Sequence, residues 1–228
     1  MTKGLFVTAV GTDVGKTYVT ALICKELKKY SDSVGYFKGA LSGAERQGEN
    51  LLPGDALFVQ KKSGLAPENV TVSYIFEEPL SPHLSARRSG AKISLGKMKE
   101  DFEAAKARCD YLVAEGSGGV VCPLSLEGPP LMLTDVMKMT AMNLVIVTES
   151  GLGSINSAVT TAAYAQSLGL TVRGFIMNRY DAGSFLCGDN LHAMELLTGL
   201  PVLATVVLHG KSLCLRKGDS VASWMNEL

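Results

Sequence analysis

The apolar, β-prone run Leu5 to Val10 breaks at Gly11-Thr12-Asp13-Val14-Gly15-Lys16-Thr17, and Val19, Leu22, Ile23 and Leu27 follow at i, i+3, i+4 and i+8. A strand, a glycine-bearing turn and an amphipathic helix in that order leave few folds open. Short apolar runs recur at Val34 to Phe37, Tyr111 to Ala114, Leu144 to Thr148, Val172 to Met177 and Val202 to Val207. Helical spacing lies between most of them, as at Ile155, Ala158, Val159 and Ala162. Strands that are apolar almost throughout, rather than alternating, belong where helices cover both faces of a parallel sheet. The expected fold is therefore a doubly wound, mostly parallel α/β sheet formed by one domain over residues 1–228. The stretch from Gly39 to Gly90, mixing polar, Pro and Gly residues with short helical patterns, reads as long loops at the carboxyl edge, where open α/β sheets bind ligands. Trp224 reads as a packing anchor for the tail.

Charge narrows the partners. Lys plus Arg and Asp plus Glu both number 22. With no net field, a nucleic acid or an anionic membrane is not an expected partner. Five cysteines, Cys24, Cys109, Cys122, Cys187 and Cys214, are odd in number and lack zinc-ligand spacing, which fits free thiols in a reducing compartment. No stretch approaches the roughly 18 apolar residues of a membrane span, and the first residues lack the apolar core of a signal peptide. The chain reads as cytoplasmic.

The glycine-bearing turn carries the chemistry. Backbone N–H groups of such a turn and of the following helix cradle polyphosphate, a lysine neutralises the terminal phosphate oxygens, and a hydroxyl holds magnesium. Lys16 and Thr17 take the last two roles, although a strict phosphate-loop spacing would place glycine where Val10 stands. Mg²⁺ is usually completed by one or two carboxylates. Glu115, ending a strand before Gly116-Ser117-Gly118-Gly119, is one candidate, with a solvated strand end as the plain alternative. Asp55, after Pro53-Gly54, is another, though Asp there also suits an ordinary helix cap. Lys38, at the end of the second strand, is placed either to neutralise a substrate anion or to sit in solvent. His83 reads as a helix-start residue rather than a base.

Several separate pieces, in order, resemble the dethiobiotin synthetase family. VTAVGTDVGKT is similar to its VTGTDTEVGKT, GYFKGALSG to GYxKPVxSG, and GDAL, EEPLSPH and AEGSGG to DAL, EPxSPH and VEGAGG. Further on, GLGSINSAVTTAAYAQSLGL is similar to LGxINHxxLTxxxxxxxGL and IMNRY to xxND. The resemblance runs from the first strand through Asn178 and implies a phosphate-loop NTPase-like fold.

The family joins CO2 to 7,8-diaminononanoate as a carbamate, phosphorylates it with ATP, and closes the ureido ring as phosphate leaves. The resemblance implies that Lys16 and Lys38 flank the carbamate and the transferring phosphoryl, and that Thr12 and Ser42 hydrogen-bond the carbamate. Asp13, Val14, Gly15, Lys16 and Thr17 would wrap the ATP phosphates, with Thr17, Asp55 and Glu115 holding Mg²⁺ and Asn178 facing adenine. Gly118 and Gly119 would admit the substrate chain. The substrate carboxylate would reach Leu152, Gly153, Ile155 and Asn156 of a second subunit in a homodimer. Four departures bear on these roles: Ala9 for Gly, Asp13 for Glu, Gly39 for Pro and Arg179 for Asp. Gly39 predicts a mobile substrate loop, because Pro would preset the backbone that Gly frees. Val202 to Leu208 also stands where the family carries its adenine loop.

Two rival readings differ in class. A partner-switching ATPase would carry a second lysine early in the loop, and none lies between Phe6 and Gly15. An amide ligase acting on a cobyrinate-like substrate would need a glutamine-hydrolysing domain that this chain is too short to hold. A non-enzymatic nucleotide-binding module is a further alternative, and it would bind ATP without substrate-stimulated hydrolysis.

Overall fold

The computed structural model describes all residues 1–228. In chain order the elements are β1 (Lys3–Ala9), α1 (Lys16–Leu27), β2 (Val34–Ser42), the hairpin β3 (Glu45–Gln47) and β4 (Asn50–Leu52), α2 (Gly54–Ser63), β5 (Val70–Phe76), α3 (Pro82–Ser89), α4 (Leu95–Lys106) and β6 (Tyr111–Glu115). A second hairpin, β7 (Pro123–Ser125) and β8 (Leu131–Met132), leads into α5 (Leu133–Thr140), β9 (Asn143–Glu149), α6 (Ser154–Ser167), β10 (Val172–Asn178), α7 (Phe185–Thr198) and β11 (Val202–Val206). The tail adds β12 (Cys214–Leu215), α8 (Val221–Trp224) and β13 (Asn226–Glu227).

One nine-stranded sheet organises the chain in the order β12-β11-β10-β9-β1-β6-β2-β5, with β13 paired to β1. Seven strands run parallel, while β12 and β13 are antiparallel additions. The central strands are buried on both faces, which is why their sequences do not alternate. Leu5, Val7 and Ala9 of β1 join α1, α2 and α8 in one core, whereas Phe6 joins α4, α5, α6 and α7 in the other. Trp224 belongs to the first core at 1% exposure, as its reading as an anchor required. Leu228 N–H donates to Thr2 O at 3.0 Å, beside the β1–β13 pairing.

The expected helix after the loop is α1, and Val19, Leu22, Ile23 and Leu27 are all buried. In α6 the predicted face divides: Ala158 and Ala162 are fully buried, whereas Ile155 and Val159 stay half-exposed.

Two expectations are corrected. The region from Gly39 to Gly90 is mostly regular structure, containing the rest of β2, a hairpin, α2, edge strand β5 and α3. Being an edge strand, β5 is only half-buried, so Val70, Val72 and Ile75 are interspersed with Thr71 and Ser73 and give no solid apolar run. Gly39 is likewise in a strand and not in the loop expected there. Gly39 lies buried inside β2, which stays paired to β5 through Ser42, and a Cβ there would stand 3.1 Å from Met98 Sδ. The missing side chain makes room for α4 rather than loosening the strand. Amides from Lys38 to Leu41 are therefore expected to exchange with deuterium as slowly as those of β1, and exchange at exposed-loop rates would contradict this placement.

Candidate active site

The parallel strands point their carboxyl ends toward one edge, and β1 lies where neighbouring connections diverge, the usual crevice of an open α/β sheet. The loop after β1 is shaped by two left-handed residues, Asp13 at φ 59° and Gly15 at φ 85°. Gly15 caps α1 and accepts the Val19 N–H at 3.0 Å. From the end of β10, Asn178 Nδ2 donates to Val14 O at 2.9 Å and Arg179 Nη2 to Asp13 O at 3.1 Å. With these carbonyls tied back, the first-turn N–H groups of α1, which have no intrahelical acceptor, remain for an anion. Ala9 does not disturb this arrangement, because it is the buried last residue of β1 and Val10 N–H still bonds Val147 O at 3.1 Å. Arg179 is itself left-handed at φ 56° and ion-paired with Glu149, so the replacement of Asp supplies a second tie to the loop.

A cleft of about 850 Å³ opens in front of the loop. Of the residues expected there, Thr12, Asp13, Gly15, Lys16, Thr17, Lys38, Ser42, Asp55, Gly118 and Gly119 all line it. Parallel pairing sets Lys38 directly opposite Glu115. Lys38 Nζ donates to Glu115 Oε1 at 2.8 Å and also binds Asp55. Thr17 Oγ1 donates to the same Glu115 oxygen at 2.8 Å. Lys38 is not a solvated strand end: β2 continues to Ser42, and the side chain is only 3% exposed. Burial alone would lower its pKa, but the Glu115 and Asp55 charges outweigh burial and hold it above the ordinary lysine value. Lys16 is shifted the other way, lowered by burial and by Lys38 against the attraction of Glu115. Asp55 is not a cap, because α2 begins at Gly54 after Pro53, and its carboxylate turns instead to Lys38.

Other placements differ in kind. Ser42 Oγ is buried without a hydrogen-bond partner beside the cleft, a donor waiting for an acceptor. Gly118 is left-handed at φ 65°, and a Cβ on Gly119 would sit 3.4 Å from both Gly11 Cα and Val10 O, so these glycines let two loops meet. Leu152, Gly153, Ile155 and Asn156 lie at the start of α6 and do not line this chain's cleft. Asn178, 6% exposed, braces the loop with its Nδ2 and does not reach the cleft wall. Beyond β11, Val207 to Gly210 form a turn closed by Gly210 N–H to Val207 O at 2.8 Å, and Tyr18 OH donates to Gly210 O at 2.8 Å.

Sequence reasoning missed Tyr36, whose hydroxyl donates to Glu115 Oε2 at 3.1 Å. The signal was present, since residues two apart on a strand share a face and Tyr36 precedes Lys38 by two. Ser117, which donates to Ala40 O, and Cys122, whose thiol is pushed up to about 11 by burial, also escaped notice at the cleft.

A parallel sheet with a left-handed glycine loop feeding a Lys-Thr helix start defines a phosphate-loop α/β protein of the NTPase type. Solved structures of that class share the fold at low identity. The ParA family ATPase from Chlorobium tepidum has a TM-score of 0.56 at 13% identity, covering 91% of this chain and 84% of its own. The MinD septum site-determining protein complexed with Mg-ADP from Pyrococcus horikoshii has a TM-score of 0.53 at 17% identity, covering 91% and 82%. An AAA domain family model matches residues 3–209. The ATP-dependent dethiobiotin synthetase of Clostridium botulinum strain Alaska E43 is 43% identical over 203 residues, 89% of each chain. That of Clostridium perfringens strain 13 is 40% identical over 208 residues, 90% of this chain and 91% of its own. The chain belongs to the dethiobiotin synthetase family.

Proposed function

We propose that this chain is an ATP-dependent ligase that carboxylates 7,8-diaminononanoate with CO2 and closes the ureido ring, giving dethiobiotin, ADP and phosphate. The observation that carries this reading is the convergence of Lys16, Thr17, Lys38 and Asp55 on one cleft, with buried Glu115 bonded to Thr17 and Lys38, in a chain 43% identical to a named synthetase. Phosphoryl transfer needs little covalent help and much positioning and charge. Lys16 sits at the loop to meet the terminal phosphate oxygens. Lys38, on the opposite wall, meets the carbamate, with Ser42 and Thr12 as hydroxyl donors to its oxygens. In this arrangement Asp13, Val14 and Gly15 supply loop backbone to the phosphates. Gly118 and Gly119 leave a low wall for the diamine chain. Asn178, its Nδ2 committed to Val14, keeps an oxygen able to accept from an exocyclic amine such as that of adenine.

The donor set also fits magnesium. Thr17 Oγ1 bonds Glu115, and Glu115 and Asp55 both pair with Lys38, so three hard oxygen ligands of the kind Mg²⁺ prefers lie close together. Mg²⁺ held by these residues would neutralise phosphate charge during transfer.

The two cations that line this cleft, Lys16 and Lys38, are taken by the phosphates and the carbamate in this reading, and a homodimer would supply the site for the substrate carboxylate. Gly153 caps α6 and Leu152 is 94% exposed, leaving a helix start open to a neighbouring copy. Leu152→Asp is expected to raise the KM for the diamine about tenfold, ~1.4 kcal/mol, while leaving ATP affinity unchanged. An unaltered KM, or a sedimenting monomer with full activity, would refute the shared site. No helix is long and apolar enough to cross a membrane, which supports reading the chain as cytoplasmic. The single nine-stranded sheet supports reading residues 1–228 as one domain.

The test is ADP release with the diamine and bicarbonate each omitted in turn. Release is expected only with both, and release indifferent to the diamine overturns the assignment.

A further inference from the structure

We propose that Tyr36 is a positioning residue for the metal-binding carboxylate Glu115, fixing it from behind so that one oxygen alone faces the reacting phosphates. Tyr36 is completely buried on β2, and its hydroxyl is the only hydrogen-bond donor to Glu115 Oε2. The other oxygen, Oε1, receives both Thr17 and Lys38 at 2.8 Å. The two oxygens thus have separate duties. Oε2 is anchored to Tyr36 in the core, and Oε1 meets Thr17 and Lys38, both of which line the cleft.

Geometry explains why a tyrosine suits the task. Parallel register sets Lys38 beside Glu115 and Tyr36 beside Val113, so the phenol approaches the carboxylate along the strand from the amino-terminal side. A rigid ring with two rotatable bonds, fully buried in the core that holds β1, α1 and α2, keeps its hydroxyl with little freedom. Without that bond the carboxylate could rotate and offer both oxygens, or either one, to Lys38 and to the cation. Partners that orient a ligand from behind commonly affect metal affinity 10- to 100-fold.

The inference rests on the metal set proposed above, and the experiment separates the two. The Kd of a fluorescent ADP analogue is measured against Mg²⁺ concentration for the wild type and Tyr36→Phe, with no turnover involved. Tyr36→Phe preserves ring volume and is expected to raise the Mg²⁺ concentration for half-maximal tightening about tenfold, with nucleotide affinity in EDTA unchanged. In a Glu115→Gln background the same change is expected to have no further effect. A Tyr36→Phe protein with wild-type Mg²⁺ dependence and merely a lower Tm overturns the positioning role alone. Wild-type protein that binds the nucleotide equally with and without Mg²⁺ overturns the metal assignment and this role with it.

Discussion

Lys38→Ala is expected to bind ATP within a few-fold of wild type yet lose 10²- to 10³-fold in kcat, about 3 kcal/mol or more of transition-state stabilisation. In the proposed function the loop would hold nucleotide through Lys16 and backbone N–H groups, and Lys38 is hydrogen-bonded to neither. The transferring phosphoryl and the carbamate, by contrast, would lose one of the two lysines that line the cleft. The same substitution strips Glu115, 2% exposed, of its ion-pair partner, and breaking such a buried pair typically costs about 3 kcal/mol of stability. The pH dependence follows from the sign of the shift. A lysine held above its ordinary 10.5 contributes stability that is fully present below that value and lost as pH rises through the folded value. The Tm curves of wild type and Lys38→Ala should therefore run parallel through neutral pH and converge only in strongly alkaline solution. Nucleotide titration, ADP release and melting between pH 6 and 11 check the three parts. Unchanged turnover removes Lys38 from the chemistry, and convergence below pH 9 removes the ion pair from the stability.

Gly15→Ala is expected to abolish useful nucleotide binding, weakening it more than 100-fold, about 2.7 kcal/mol. Two penalties coincide at this residue. Its φ of 85° costs an L-residue roughly 1–2 kcal/mol. The added Cβ would stand 2.1 Å from Asn178 Nδ2, so the amide that ties Val14 must swing away. Losing a buried hydrogen bond adds about 1–3 kcal/mol. Gly48→Ala is the matched control, since Gly48 also has positive φ, at 62°, but nothing within 4 Å and no place in the cleft. The control should pay the backbone strain in Tm and bind ATP normally. If Gly15→Ala binds ATP as tightly as the control does, the loop is not the phosphate cradle.

The parts that were legible in sequence were those carried by local pattern. The loop and α1 announced themselves because turn glycine, lysine and helical spacing lie within about twenty residues. The buried parallel strands were visible as solid apolar runs. Hidden were features fixed by pairing across the sheet. Lys38 looked like a strand end because Gly39 interrupts the apolar run, whereas its burial is set by Glu115 on the neighbouring strand. Asp55 looked like a cap, and only the approach of α2 to β2 turned it into a partner of Lys38. Edge strand β5 stayed hidden because every residue but Phe76 is only part-buried, so polar and apolar residues mix along it. The roles of Asn178 and Arg179 as braces required knowing that β10 ends beside the loop, more than 160 residues away in sequence.

Thr2 and Leu228 are hydrogen-bonded neighbours at the amino end of β1, opposite the edge that carries the cleft. An affinity tag or fluorescent fusion on either terminus is thereby kept away from substrate entry. The two ends are also near enough for a short glycine-serine linker to join them, so new termini opened at the exposed tip of the Glu45–Leu52 hairpin should yield a permuted chain with the same sheet.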